Sequence, residues 1–597
     1  MAAGAPGEAN EPIPRRRWRH AFPAPGPRRR SWSMHRKQTY RLHGVLLAFL
    51  GTVAPGQSGI VTRSDVAWAQ TGPSIERLQL LEPPRPEAPL GVRVDVATSE
   101  PARLFLEVAD GERTERMELA GEYRTTHIVP LVGLRPGRTH AVTFTATDTA
   151  GNTGEAATLT IETDQLPDDF PPLDVTSSRP EHMEPGVTLL SVYRWGEEGR
   201  DLDFGLLVAV DSSGDVVWYY RAQHSIGVAV PLASGNLLYR ASVDGVWSIH
   251  VEIDLLGNVV RRWHSRGLAD RATAGSILID VDSLHHEMVE LPSGNLLTLG
   301  SEVRTFADYP TSEEDPGAPR GPREVIGDVV LELEPDGAIV ERWPLLDVLD
   351  PYRIGYDSFD MVFWRHTYRA LGRPVGEMVD WAHANAVSYD ARDDTFVVSL
   401  RNQDALVKLD RTGTLRWILG PHAGWTAPWR ARLLEPQGEL EWPYHGHGGE
   451  VTPDGTILLF DNGKYRATPF DAPMPADESY SRAVEFQVDE STMSVRQRWA
   501  YPPPGADRFY SSFLGDADWL PHTGNVLITD GARVRTMPDT ADGQPLQRRW
   551  ARILEVTRDD PAAIVFMLVL DDESPTGWHV YRASRWQAPL IGHQLAP

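Results

Sequence analysis

The chain has 597 residues, no cysteine and a formal net charge of −25. The missing cysteines exclude disulfides, thiolate metal ligands and cysteine nucleophiles. The length is too great for one simple core, although repeat folds reach such sizes. Charge is uneven, because residues 1–69 hold 11 Lys or Arg and 3 Asp or Glu. The rest of the chain is therefore acidic, which argues against general nucleic-acid binding and means that an anionic substrate needs a local basic site.

The basic amino-terminal tail, residues 1–69, contains segments in the order of a signal peptide. Met34 is a candidate start, and basic residues precede an apolar run at 45–54. An A-x-A cleavage site ends at Ala69. The apolar run is too short for a membrane span. The sequence therefore predicts a periplasmic or secreted protein with a signal peptide within 34–69. The alternative is a disordered basic tail on a cytoplasmic protein.

Residues 70–164 predict a small β-sandwich. Apolar and polar residues alternate at 92–96, 104–108 and 141–147, which is the period of strands with one buried face. The spacing of strands and turns resembles a fibronectin type III-like or immunoglobulin-like domain. Residues 165–186 are rich in Pro and acidic residues and are interpreted as a linker.

Residues 380–420 contain one complete copy of a β-rich repeat. β-Branched and aromatic residues flank a polar turn at 390–394, and two more short strands follow. Four antiparallel strands in about forty residues is the size of one β-propeller blade. The unit recurs six times, and several copies end in Trp: Trp218, Trp263, Trp343, Trp417 and Trp499. The prediction is an all-β chain in which the sandwich precedes a six-bladed propeller at residues 187–597.

Three consecutive repeats carry a histidine at the same place in the unit. His286, His383 and His447 each lie eight residues before the same point of the hairpin turn. The same count gives Gly227 in the second repeat and Asp516 in the sixth. Because the first strand of a blade lines the central channel, we expect the three histidines to meet at one mouth of it. The alternative is that they only cap strands or bond to loops.

Two further side chains of the fourth repeat complete the candidate site. Arg401 follows a strand, and its planar fork suits an oxyanion. The Asn385 amide and the histidine nitrogens add donors. Such a ring, with no obvious carboxylate, is suited to an anion. Three histidines could also bind zinc, but neither a metal nor a cofactor is predicted. Long insertions should form walls over the channel mouth, at 309–323, 345–379 and 464–478.

Residues 75–595 resemble the bacterial arylsulfate sulfotransferases, which use no nucleotide sulfate donor. The resemblance is strongest in residues 380–420 and in the segment from His447 through Phe460-Asp461-Asn462-Gly463 to residues 480–484. It implies a periplasmic six-bladed propeller in which a histidine takes a sulfuryl group from a phenolic sulfate ester and passes it to a phenol. Residues in the matching positions would be the nucleophile His447 and a sulfate-binding and charge-stabilising set: His286, His383, Asn385 and Arg401.

This implied chemistry is self-consistent. A neutral imidazole is available near pH 7 as a nucleophile, and a sulfohistidine intermediate predicts ping-pong kinetics. Sulfuryl transfer passes through a loose state, by analogy with phosphoryl transfer, and Arg401 would stabilise its spread charge. Either His286 or His383 would suffice as the general acid. Expected partners are an aryl sulfate donor and a phenolic acceptor, with no nucleic acid and no stable membrane insertion; a homodimer is left open.

The chain departs from the family pattern in two places. His445 stands next to the nucleophile segment, in Tyr444-His445-Gly446-His447-Gly448, and Asn402 replaces what is often a histidine. Both leave the acceptor preference open. His285, beside His286, is a less favoured site residue because it lies out of repeat register.

Other classes of function remain open. One is a secreted propeller that binds a partner without catalysis. Another is an aryl sulfatase-like hydrolase, because residues 99–103 read Ser-Glu-Pro-Ala-Arg, a sulfatase modification motif. The motif lies inside the predicted sandwich without Asp and His metal ligands around it, so we interpret the match as accidental. A nucleotide-dependent sulfotransferase would need a phosphate-binding loop that opens a helix, and no such loop is found.

Overall fold

The computed structural model describes residues 72–591, except 120, 197–198, 503–507, 538–545, 573–576 and 589. The predicted basic tail and signal peptide lie outside the described residues. Regular structure in the described part is almost entirely β. Within those same ranges, no helix has the length and apolar character needed to cross a bilayer.

The first unit is a six-stranded sandwich. Its strands are β1 (Ile75–Leu80), β2 (Gly91–Ala109), β3 (Thr114–Glu118), β4 (Arg124–Val132), β5 (Thr139–Thr147) and β6 (Ala157–Glu162). The long strand β2 pairs with β1 and β4 through its first half and with β3 and β5 through its second half. Alternate residues of β2 are buried in one core with Leu131 and Phe144. This confirms the predicted sandwich.

Six further sheets follow, preceded by the short strand β7 (Asp174–Ser178). The first sheet contains β8 (Val187–Gly196), β9 (Gly199–Arg200), β10 (Gly205–Val210) and β11 (Val216–Ala222). The second contains β12 (Ser225–Pro231), β13 (Leu237–Val243), β14 (Val246–Ile253), β15 (Val259–Ser265) and β16 (Ile277–Ile279). The third contains β17 (Ser283–Glu290), β18 (Leu296–Tyr309), β19 (Gly321–Leu333), β20 (Ile339–Pro344) and β21 (Met378–Asp380).

The remaining sheets have the same plan. The fourth contains β22 (Ala384–Asp390), β23 (Thr395–Leu400), β24 (Ala405–Asp410) and β25 (Leu415–Leu419). The fifth contains β26 (Glu435–Pro436), β27 (His447–Val451), β28 (Thr456–Asp461), β29 (Arg482–Asp489) and β30 (Ser494–Tyr501). The sixth contains β31 (Asp516–Trp519), β32 (Val526–Met537), β33 (Leu546–Val556) and β34 (Ile564–Leu570), and the last strand is β35 (Gly577–Trp586).

Helices occupy only short stretches of the described residues. Two are α-helical, α1 (Leu345–Val348) and α2 (Arg365–Ala370). The others are single 3-10 segments, at Pro180–His182, Arg266–Arg271, Val375–Glu377, Arg401–Gln403 and Trp429–Arg432.

The six sheets close into a ring. Their innermost strands β12, β17, β22, β27, β31 and β35 contact one another in this cyclic order, and β35 returns to β12. A separate apolar core fills each space between neighbouring sheets, including the space between the first and the sixth. This arrangement confirms the predicted six-bladed propeller, in which the inner strands surround a central channel.

Both ends of the propeller segment help to close the ring, which corrects one sequence interpretation. β35 pairs with β8 and becomes the inner strand of the first sheet. β7 pairs with β34 and becomes the outer strand of the sixth. Residues 165–186 therefore include a blade strand and are not only a linker. Pairs between residues almost 400 positions apart leave no local pattern, so the repeat pattern could not predict them.

The tryptophans that end the repeats join neighbouring blades. The indole Nε1–H of Trp218 donates to the Leu255 carbonyl oxygen of the next sheet at 2.8 Å. Trp343 donates to the Arg411 carbonyl oxygen at 3.2 Å in the same manner. Each of these indoles is buried against its neighbour while its polar atom finds an acceptor, so the Trp periodicity reflects contacts between blades.

Candidate active site

A cavity of about 630 Å³ lies at the end of the channel where the first strands of sheets three to five begin. His286, His383, His447 and Arg401 all line it. Six Arg or Lys and three Asp side chains line it in total, although the whole chain carries −25. The cavity is therefore a local basic site in an acidic protein. A cleft of about 850 Å³ beside the sandwich is larger, but it contains none of the predicted site residues.

Backbone irregularities turn the histidines into the cavity. His286 and His383 have φ angles of 49° and 50°, a left-handed conformation that is uncommon for residues with a side chain. Gly448, directly after His447, has a φ of 73°. Strands β17, β22 and β27 each shift register near these residues. Such bulges re-aim side chains, and strained residues of this kind cluster at functional sites.

The tautomer of His447 is determined by its neighbour Asn462. The Asn462 Nδ2 group donates to the carbonyl oxygens of Ser511 and Leu514 at 2.7 and 2.8 Å. Its Oδ1 atom is therefore left as the acceptor, 2.7 Å from His447 Nδ1. Since an amide oxygen only accepts, the proton of neutral His447 lies on Nδ1 and the lone pair on Nε2. His447 therefore lines the cavity with Nε2 unprotonated.

The charge state of His447 suits the same role. Burial, assisted by the positive charge of Arg401, holds the pKa of His447 well below its usual value. The hydrogen bond with Asn462 opposes this shift but does not outweigh it. The imidazole is therefore neutral near pH 7, the form that can attack an electrophile.

His383 is backed by a carboxylate. Its Nδ1 atom lies 2.5 Å from Asp380 Oδ2, so Nδ1–H donates and Nε2 remains for the cavity. The hydrogen bond to Asp380 fixes the orientation of the His383 ring, with Nε2 available to exchange a proton with a bound group.

His286 belongs to a different chain of hydrogen bonds. His285 Nε2 lies 3.0 Å from the Gly300 carbonyl oxygen and must donate to it, which leaves His285 Nδ1 as an acceptor. His286 Nδ1 lies 2.9 Å from that atom and therefore carries the donated proton. Burial lowers the pKa of His286 well below its usual value. His286 is thus neutral, with its Nε2 lone pair free, while His285 stands behind it and does not line the cavity.

Arg401 is held from behind by a carboxylate that the sequence pattern did not indicate. Asp357 Oδ2 accepts from an Arg401 terminal nitrogen at 2.8 Å and from Lys464 Nζ at 2.5 Å, and Tyr465 donates to the other oxygen. Burial would raise the pKa of Asp357, but Arg401 and the neighbouring His445 and Lys464 outweigh it and hold that pKa well below its usual value. Asp357 is therefore ionised and orients two cations at the cavity.

Asn385 and His445 lie behind the cavity wall. The Asn385 amide is fully buried and donates from Nδ2 to the Gly446 carbonyl oxygen at 2.7 Å, directly before His447. Its contact is therefore with the backbone that leads into His447. His445 Nδ1 pairs with Asp404 Oδ1 at 2.9 Å, and His445 is fully buried. Neither residue lines the cavity.

Six aromatic side chains line the cavity. The ring of Phe363 stacks on His286 with centroids 4.6 Å apart. Phe363 also stacks on Trp247, at 5.9 Å and an interplanar angle of 10°. The aromatic side chains that line the cavity are Tyr193, Trp195, Trp247, Phe363, Phe513 and Tyr581. Flat apolar faces beside a cationic, histidine-rich wall suit an anion attached to an aromatic ring.

The insertions supply the site residues that the repeat pattern missed. Asp357 and Phe363 belong to the insertion at 345–379, Asp380 follows it directly, and Lys464 opens the insertion at 464–478. The ring of donors was expected to lack a carboxylate, but two of its members are bonded to one: Arg401 to Asp357 and His383 to Asp380. Asp380 could have been noticed as an acid three residues before His383. Nothing local to the other three marks their function. Among the described residues, no group of three or more His, Asp or Glu has the arrangement of a metal site.

Two family models and two curated relatives are similar to this chain. The family model described as Arylsulfotransferase (ASST) matches residues 174–582, and the model for the Arylsulfotransferase Ig-like domain matches residues 81–164. An arylsulfate sulfotransferase AssT of Escherichia coli O6:H1 is 29% identical over 296 residues, 44% of this chain and 45% of the relative. The AssT of Lelliottia amnigena is 28% identical over 220 residues, 31% of this chain and 36% of the relative.

The alignments with these curated relatives thus span less than half of each relative's length. Among solved structures, a Synechocystis apocarotenoid oxygenase shares 12% identity over 70% of this chain and 96% of its own, with a TM-score of 0.28, which is too low to support an argument. The family model, by contrast, covers more than half of the chain and includes every residue of the histidine site. The chain belongs to the arylsulfotransferase family.

Proposed function

We propose that the protein is an aryl sulfotransferase that moves a sulfuryl group from a phenolic sulfate ester to a phenol through a sulfohistidine at His447. The observation that carries this proposal is the forced tautomer of His447, whose Nε2 lone pair is the form required of a nucleophile. The basic and aromatic walls of the cavity match an aryl sulfate in charge and shape. Family membership supports the same activity.

In the first half-reaction, the Nε2 lone pair of His447 forms a bond to sulfur while the bond between sulfur and the phenolic oxygen breaks. The leaving oxygen takes the proton from Nε2 of a protonated His383. The hydrogen bond between Asp380 and Nδ1 orients His383 for this transfer, whereas burial keeps His286 neutral, which favours His383 as the acid. Arg401, oriented by Asp357, would stabilise the negative charge on the sulfuryl oxygens through the second hydrogen of each terminal nitrogen.

In the second half-reaction, the acceptor phenol gives its proton to neutral His383 and its oxygen attacks sulfur. The bond between sulfur and Nε2 breaks, and His447 recovers its lone pair. Phe363 and the other aromatic side chains would hold donor and acceptor rings in the same place in turn. One binding place used successively explains why ping-pong kinetics are expected.

The decisive experiment incubates the protein with 4-nitrophenyl sulfate and follows nitrophenolate release with and without added phenol. We expect phenol-dependent turnover, and donor alone should leave one sulfuryl group on the peptide that contains His447, detected by mass spectrometry without acid treatment. His447→Ala should abolish both signals, while His445→Ala keeps the adduct. An active His447→Ala variant, or an adduct on His445, would contradict the assignment.

We also propose export to the periplasm or outside the cell. The support is the order of basic, apolar and small residues within 34–69. Amino-terminal sequencing of the protein purified from its source should begin after this segment. Full-length chain in the cytoplasmic fraction would contradict the proposal.

A further inference from the structure

One buried arginine of the cavity has no role in the mechanism above. Arg240 lies on β13, the second strand of the second sheet, and is fully buried. Its guanidinium lies over the Trp247 ring at 4.0 Å from the centroid and 4.9 Å from the Tyr581 centroid. Its Nε and Nη1 atoms have no hydrogen-bond acceptor among the residues that the structure describes. The aromatic faces hold the cation but do not satisfy its donors.

The backbone makes space for this guanidinium at a specific position. In the second sheet, the repeat position that corresponds to the site histidines is Gly227. A Cβ atom at Gly227 would lie 2.3 Å from Arg240 Nε and 2.4 Å from a terminal nitrogen. The arginine of the second strand therefore occupies the space that a first-strand side chain fills in sheets three to five. It presents a cation at the same cavity from a neighbouring blade.

The three acids of the cavity have other partners. Asp357 is held by Arg401 and Lys464, and Asp380 by His383. Asp360 accepts from the Val362 backbone N–H at 2.9 Å. A desolvated cation without an acceptor is costly, so its retention is best explained by an anion that arrives with the ligand. Arg240 packs on Trp247, whose ring stacks on Phe363. Phe363 in turn stacks on His286, so the guanidinium lies on the His286 side of the cavity.

We propose that Arg240 binds a second anionic group, a carboxylate, on the aromatic ring of the substrate, so that the enzyme prefers hydroxyaryl carboxylic acids and their sulfate esters. The inference rests on the proposed function. Trp247 and Tyr581 would contact the substrate ring while Arg240 holds its carboxylate. The sulfuryl group would lie between His447 and Arg401. The two anionic ends of one substrate are thereby assigned to two separate cations, which makes Arg240 a specificity-determining residue.

The test compares phenol and 4-hydroxybenzoate as acceptors from 4-nitrophenyl sulfate. We expect Arg240→Met to lower the ratio of kcat/KM for 4-hydroxybenzoate to that for phenol by about 30-fold, since a charged hydrogen bond is worth about 2 kcal/mol. Gly227→Ala keeps the charge but fills the space, so it should lower the ratio in the same direction. Arg116→Met, which removes an exposed cation of the sandwich outside the cavity, should leave the ratio unchanged.

Calorimetry separates this proposal from the proposed activity. Binding of 4-hydroxybenzoate and of phenol is measured on the His447→Ala protein with and without Arg240→Met, and needs no turnover. We expect tighter binding of 4-hydroxybenzoate only where Arg240 is present. Equal binding of both ligands with Arg240 present overturns the proposal. So does an unchanged kcat/KM ratio in Arg240→Met, including the case in which both rates fall together because Arg240 serves the sulfuryl group.

Discussion

Two consecutive layers of the central channel differ in how their buried charges are paired. The cavity layer, with His286 and Tyr581, contains mostly cations and aromatic rings. One residue further along the same inner strands, Glu287 and Arg582 belong to a second layer. We call this the acidic layer, which consists of Arg582 and the four carboxyl groups of Glu287, Glu450, Asp516 and Asp518.

Ion pairing distinguishes the two layers. Arg582 contacts Glu287, approaches Asp516 at 3.1 Å and donates to the Asn385 carbonyl oxygen at 3.3 Å. Burial would lower the pKa of Arg582, but Asp516 and Glu287 outweigh it and raise that pKa. Arg240, one layer away, packs on the Trp247 and Tyr581 rings, and its Nε and Nη1 atoms have no acceptor in the described part of the chain. A buried cation that is paired with its own acids is structural, whereas one that lies on aromatic faces without an acid indicates a ligand.

The largest expected effect is on stability, from Arg582→Met. The substitution leaves two buried carboxyl groups, those of Glu287 and Asp516, without their cation, which should cost about 3–5 kcal/mol in the free energy of unfolding. Urea unfolding monitored by tryptophan fluorescence measures this loss. Arg116→Met, which removes an exposed ion pair with Glu107, is the control and should change stability by less than about 1 kcal/mol. Equal effects of the two variants would contradict the structural role of the acidic layer.

The next effect is on catalysis, from Arg401→Lys. Lysine keeps the charge but cannot contact Asp357, Asn402 and a substrate oxygen with one planar group. We expect kcat/KM for 4-nitrophenyl sulfate to fall about 100-fold, or about 2.7 kcal/mol, with little change in melting temperature. For Arg401→Met, kcat/KM should fall further, because this substitution also removes the charge. Unchanged kinetics in Arg401→Lys would remove the guanidinium from the sulfate site.

A smaller catalytic effect is expected from Asp380→Asn. Without the carboxylate, His383 loses the hydrogen bond that orients its ring, and its proposed role as the acid should weaken about 10-fold. The loss should be greater with poorer leaving phenols, since these depend most on the acid. Asp360→Asn, at a carboxyl that lines the cavity but bonds to the Val362 backbone, is the control. Similar losses for good and poor leaving groups would argue against His383 as the acid.

The smallest effect concerns pH and the acidic layer. Burial, together with Asp516, raises the pKa of Glu450 to about 8 from its usual 4.5. The folded state therefore binds this proton more tightly than the unfolded state does. The contribution of Glu450 to the free energy of unfolding is fully present below pH 4.5 and is lost as pH rises through 8. Glu450→Gln removes the ionisable group and with it this loss of stability at high pH. Its melting temperature should exceed that of the original protein by about 1–2 °C more at pH 9 than at pH 5. An equal difference in melting temperature at pH 5 and pH 9 would contradict the raised pKa of Glu450.

Much of this organisation followed from local patterns in the sequence. Alternating apolar residues predicted the sandwich, because a strand with one buried face has a period of two. The turn-centred register selected His286, His383 and His447, since equivalent positions of successive blades face one channel. A pattern that repeats in sequence must repeat in space when each unit can bury its apolar face only against its neighbours.

What the tertiary structure decided is everything that depends on contacts between distant segments. β35 completes the first sheet and β7 the sixth, although neither lies next to its partner strand in sequence. The repeat register places Gly227 where the site histidines lie in other sheets, but only the folded structure shows that the Arg240 guanidinium fills the space beside it. The position counted as Asp516 likewise acquired its role from Arg582. A register specifies where a backbone position lies, but only packing determines which side chain fills the space beside it and whether its charge is paired.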